Sequence, residues 1–123
     1  MTVPNPLPTV DVAEADRRLR EDPARPLLLD VRERNEFSAV RAPGAVLLPT
    51  STFTARIAEL PLNRPLLVIC HSGGRSAAVT GFLTRTGRAD VVNVAGGMDA
   101  WERAGLAVRR GPVEPGEGTL PGD

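Results

Sequence analysis

Leu66-Leu67-Val68-Ile69-Cys70-His71-Ser72-Gly73-Gly74-Arg75-Ser76 passes directly from an apolar run into a glycine turn. The first four residues read as a strand covered on both faces, because no polar residue alternates with the apolar ones. The paired glycines let the backbone curl tightly, and a segment of helical spacing follows from Arg75. In an open α/β sheet, a strand, a tight turn and a helix N-terminus in that order form the place where ligands bind. Cys70, the single cysteine of the chain, stands at this junction.

Outward from that unit the same grammar repeats. Residues 27–31, 45–48 and 91–94 are further short apolar runs, the last ending at Gly96-Gly97. Asp11 and Glu14 have capping-box spacing and open a helix to about Glu21, which Asp22-Pro23 ends. Ser51 or Thr52 is expected to cap a helix through Leu60, stopped by Pro61. Residues 75–86 are expected to form a helix with Ala78, Phe82 and Leu83 on one face and Gly87 as its stop. A last short helix is expected over residues 98–104, before Gly105. Strands alternating with helices at these spacings predict an α/β three-layer domain.

The ends read differently. Residues 1–8, with three prolines, are expected to be an extended lead-in. Residues 109–123 are rich in glycine and proline with little to bury, and read as a flexible tail. The folded domain is expected between them, over residues 9–108.

The 123 residues suit one domain with one core. Fifteen acidic residues balance fifteen basic ones, which argues against a nucleic-acid or anionic-membrane surface. Every basic residue is arginine and there is no tyrosine, a compositional bias that makes single arginines less informative. One cysteine excludes an internal disulfide and a multi-cysteine zinc cluster. It also leaves no resolving thiol within the chain. The first six residues have neither a basic start nor an apolar core, so no signal peptide is read there. No apolar run approaches the roughly 18 residues of a membrane span, and a cytoplasmic protein is expected.

Two readings of Cys70 compete. A lone cysteine ending a strand is often a small buried hydrophobe. A passive strand end, however, needs neither paired glycines nor an arginine at a helix entry. Gly73 and Gly74 let successive N–H groups converge into an anion-binding nest, and the helix dipole adds positive potential. That environment lowers a thiol pKa and makes the thiolate nucleophile. Arg75 offers a bidentate charge for an oxyanion. His71, the one histidine, is read as a loop or substrate contact in preference to a general base, since adjacent side chains seldom face each other. Ser72 and Ser76 are read as donors to a bound anion or as turn and cap residues.

At this point the chain resembles a known family. Cys70-His71-Ser72-Gly73-Gly74-Arg75-Ser76 resembles the active-site loop of the rhodanese sulfurtransferases. Leu29-Asp30-Val31-Arg32-Glu33 with Glu36-Phe37, Pro43-Gly44-Ala45 with Leu48-Pro49, and Asn93-Val94-Ala95-Gly96-Gly97-Met98-Asp99-Ala100-Trp101 resemble three further segments of that family, in order. The resemblance covers roughly residues 8–106. It implies a single rhodanese-like domain with a five-stranded parallel sheet flanked by helices, the fifth strand near Thr9-Val10.

The resemblance also implies ping-pong sulfur transfer through a Cys70 persulfide. Thiosulfate or a persulfide would be the donor, and cyanide, a small thiol or a protein thiol the acceptor. His71, Ser72, Gly73, Gly74, Arg75 and Ser76 would bind substrate, with Arg75 orienting the anionic donor. No metal or organic cofactor is implied, and no nucleic-acid or membrane partner is expected.

Asp30 and Arg32 read as a structural pair, Trp101 as a core anchor and Gly96-Gly97 as a tight turn. Where the family commonly has Gly-His-Ile, this chain has Val40-Arg41-Ala42. Arg41 then reads either as a second positive charge near the loop or as a solvated side chain. Two other functions remain in view. A phosphatase or arsenate reductase would use a similar cysteine loop, but four residues separate Cys70 from Arg75 and the phosphatase loop is one longer. The other is a non-enzymatic regulatory or partner-binding module; such modules of the family often lack the cysteine, and this chain retains it with its glycines and Arg75.

Overall fold

The structure, a computed structural model, describes residues 7–121. Five strands form one sheet: β1 (Thr9–Val10), β2 (Leu27–Asp30), β3 (Val46–Leu47), β4 (Leu66–Ile69) and β5 (Val91–Val94). Their spatial order is β1-β5-β4-β2-β3 and every pairing is parallel. β4 lies at the centre, with Leu66 opposite Leu27 on one side and Val91 on the other. All four of its residues are buried, as a strand covered on both faces requires. The two-residue β1 is present beside β5, pairing Thr9 with Asn93 and Val10 with Val94. It is too short for any periodicity to reveal.

Alternate strand residues feed two apolar layers. Leu27, Leu29, Leu66, Val68 and Val91 pack with Phe53, Val79 and Leu83. Leu28, Leu67, Ile69 and Val94 pack on the opposite face with Ala15, Phe37, Met98 and Trp101. The helices that supply these covers are α1 (Val12–Glu21), α2 (Arg34–Ala39) and α5 (Gly97–Arg103) on one side. On the other are α3 (Phe53–Arg56) and α4 (Gly74–Arg85). The result is the expected three-layer α/β domain.

Asp11 caps α1 by accepting the Glu14 N–H at 2.8 Å, but the Glu14 carboxylate turns to Arg17 and Arg18 instead of closing the box. A reciprocal capping box occurs instead at α2, between Glu33 and Glu36. No apolar spacing in the sequence marks this helix, whose one buried residue is Phe37. The helix expected from residue 51 or 52 to Leu60 is broken into a 3-10 turn at Thr50–Thr52, the short α3, and a second 3-10 turn at Ile57–Glu59. The Ser51 hydroxyl donates to Glu33 at 2.7 Å and caps nothing. In α4 the buried face carries Ser76, Val79, Thr80 and Leu83, while Ala78 is exposed. A face that buries hydroxyls escapes a search for apolar spacing. Gly87 ends that helix at φ +104°, as expected.

Residues 109–120 are not a loose tail. Arg109 pairs with Arg41 in an antiparallel bridge, and the Leu47 N–H donates to the Gly118 carbonyl at 2.7 Å. Leu120 is buried in the α3/α4 layer. Arg41 holds this strap: 1 % exposed, it forks onto Glu117 at 2.6 and 2.9 Å and donates to the Gly111 carbonyl at 2.8 Å. It is neither solvated nor part of the cysteine loop. Most of the extended lead-in, residues 1–6, lies outside the described residues. No helix among the described residues is long and apolar enough to cross a membrane.

Candidate active site

Cys70 follows the last residue of β4, so the central strand delivers its sulfur to the carboxyl edge of the sheet. Gly73 then adopts φ +113°, a conformation other residues rarely reach, and turns the chain into α4. The Gly73 and Ser76 N–H groups consequently point back at Cys70 Sγ, at 3.1 and 3.3 Å. The Ser76 hydroxyl lies 3.3 Å from the same sulfur and donates to Asn93 Oδ1 at 2.6 Å. Burial pushes the thiol pKa up. The Ser76 hydroxyl and the N–H groups of Ser76, Gly73 and Ser72 outweigh it, and the net shift is downward.

The second wall of the loop comes from the turn between β5 and α5. Met98 N–H donates to the Cys70 carbonyl at 2.8 Å, and Asp99 N–H to the His71 carbonyl at 3.0 Å. Gly97, at φ +56°, makes that approach possible, because a Cβ there would overlap both carbonyls. The tight turn read from Gly96-Gly97 is therefore also the clamp that fixes the cysteine loop.

Arg75 is engaged within the protein. Its guanidinium forks onto the Glu36 carboxylate at 2.7 and 2.8 Å, so its bidentate face is taken by α2. Hydrogen bonding to Arg75 holds the Glu36 carboxyl at about 2, and Glu36 in turn raises the pKa of Arg75. His71 is exposed, with Nε2 3.3 Å from Asp99 Oδ1, and makes no hydrogen bond to Cys70. Ser72 and Gly74 are exposed on the outer turn of the loop. Asp30 and Arg32 form the expected pair, both buried, at 2.8 Å, and Arg32 also donates to the Glu36 and Val40 carbonyls. Trp101 is buried as expected, its Nε1–H donating to the Ala107 carbonyl at 2.9 Å.

Glu36, Asn93, Gly97 and Asp99 belong to this constellation, although the loop sequence alone does not point to them. Asn93 had one signal, as the polar residue inside the apolar run 91–94. Chemically, the arrangement offers a buried sulfur whose anion is met by N–H groups.

Among relatives, a sulfurtransferase of Allochromatium vinosum is 35% identical over 82 residues, 67% of this chain and 77% of that protein. The thiosulfate sulfurtransferase GlpE of Actinobacillus succinogenes is 35% identical over 95 residues, 77% of this chain and 81% of its own. Among solved structures, a rhodanese-related protein from Thermoplasma volcanium superposes with a TM-score of 0.75 at 27% identity, over 83% of this chain and 97% of that one. The model of the rhodanese-like domain matches residues 11–104, a span that runs from the cap of α1 past the end of α5 and takes in the whole cysteine loop. The chain belongs to the rhodanese-like domain family.

Proposed function

We propose that this protein is a sulfurtransferase that carries a sulfane sulfur on Cys70. The observation that bears most weight is the convergence of the Gly73 and Ser76 N–H groups on Sγ at the start of α4. These donors favour the thiolate, and the relatives named for sulfur transfer, one of them for thiosulfate, support a sulfur donor of that class. The thiolate attacks the outer sulfur of thiosulfate; the S–S bond breaks and its electron pair leaves with sulfite. Cys70 then bears a persulfide. Cyanide or a thiol attacks the outer sulfur, departs as thiocyanate or as a new persulfide, and returns the electron pair to Sγ.

The backbone of residues 71–76 serves as the anion cradle, with the side chains of His71 and Ser72 at its rim. Arg75 fixes the loop through Glu36 instead of gripping the donor. The absence of a second cysteine requires the sulfur to pass to another molecule. Steady-state assays with thiosulfate and cyanide test the reading: parallel double-reciprocal lines are expected, and no thiocyanate from Cys70→Ser. Undiminished transfer by Cys70→Ser would remove Cys70 from the reaction.

A further inference from the structure

We propose that Asn93 is a positioning residue that governs the ionisation of Cys70 through the Ser76 hydroxyl; the proposal rests on Cys70 being the nucleophile assigned above. Asn93 of β5 and Ser76 of α4 are buried polar groups in a mainly apolar layer, which also holds Thr80. Asn93 lies opposite Val68 in the sheet and is 7 % exposed, and Ser76 is fully buried. The Ser76 hydroxyl has one proton and three claimants: Asn93 Oδ1 at 2.6 Å, the Gly73 carbonyl at 3.2 Å and Cys70 Sγ at 3.3 Å. The shortest contact takes the proton. Ser76 Oγ then presents a lone pair to sulfur and accepts the thiol S–H.

When Cys70 ionises, its proton passes to water and that lone pair faces a negative sulfur. The hydroxyl must then turn, giving up Asn93 and donating to Sγ. Asn93 thus stabilises the thiol, against the N–H groups that stabilise the thiolate. In the persulfide the charge sits on the outer sulfur, and the hydroxyl proton returns to Asn93. When an acceptor attacks, charge comes back to Sγ and the hydroxyl turns again. The ionisable groups around the loop are already engaged: Arg75 with Glu36 of α2, His71 beside Asp99 of α5, and Asp30 of β2 with Arg32. Ser76 is the donor free to follow the charge.

The test is the rate of Cys70 alkylation by iodoacetamide against pH, measured on the full chain. Asn93→Leu, which removes the competing acceptor, is expected to lower the midpoint by about one unit, roughly a tenfold rise in thiolate below it. In a Ser76→Ala background the same substitution is expected to shift nothing. Asn93→Asp, which keeps the shape and strengthens the acceptor, is expected to raise the midpoint, and by less once Ser76 is alanine. It serves as the second variant should Asn93→Leu fail to fold. An unchanged or raised midpoint in Asn93→Leu, or shifts of equal size with and without the Ser76 hydroxyl, would overturn the proposal. Alkylation needs no sulfur donor, so this result is independent of whether Cys70 accepts sulfur from thiosulfate.

Discussion

At Cys70 two effects of opposite sign act on one atom. Removing the sulfur from water favours the neutral thiol, and the donors around it favour the anion more strongly. The wild-type thiol is therefore expected to titrate below an unperturbed cysteine, as its alkylation profile would report; a midpoint at or above about 8.5 would contradict this. The donors stay in place because Gly97 lets α5 bind the loop carbonyls. Gly97→Ala would force a Cβ onto the carbonyls of Cys70 and His71 at positive φ. It is expected to cost about 2–4 kcal/mol in urea unfolding, with a slower alkylation rate at neutral pH. Cys70, Gly73 and Ser76 were legible in the sequence because a nucleophile, a sharp turn and a helix entry each demand a residue type within one short stretch. The commitment of Arg75 was not, since its partner Glu36 lies 39 positions away. Nor was the grip of Asn93 on Ser76, across two elements.

Among the elements, β4 was readable from its unbroken apolar run, and α2 was not. Six residues with Phe37 as the one buried side chain make no pattern, and its reciprocal Glu33–Glu36 cap was not anticipated. Yet α2 supplies the carboxylate that holds Arg75, and Arg32 braces it from below. Arg32→Met would leave Asp30 buried without its partner and is expected to destabilise the fold by about 3–5 kcal/mol in urea. The Glu36 pair has its own signature in acid. Its carboxyl is depressed from 4.5 to about 2 in the folded chain, so its contribution is complete above about 4.5 and disappears as pH falls towards 2. Thermal melts between those values are expected to show a smaller acid loss for Glu36→Gln than for the native chain. Equal losses would mean that the pair does not contribute.

Across the molecule, the C-terminal segment covers the outer edge of β3 and closes the sheet on that side. Composition argued for a loose tail because glycine and proline dominate it. Its anchors are single residues, Leu120 in the core and Glu117 on Arg41, and neither forms a pattern. Truncation after Val108 is expected to cost about 2–3 kcal/mol from the loss of Leu120 alone and to strip Arg41 of its Glu117 carboxylate and Gly111 carbonyl. Calorimetry would show a lower Tm, and an unchanged Tm would mean the strap bears no load. The whole chain also has a single thiol, which makes its mass a direct readout of the chemistry. Intact mass spectrometry after incubation with thiosulfate is expected to show the protein heavier by one sulfur atom, located on Cys70 and removed by cyanide. An unmodified mass from protein whose thiol was intact beforehand would contradict sulfur transfer through Cys70.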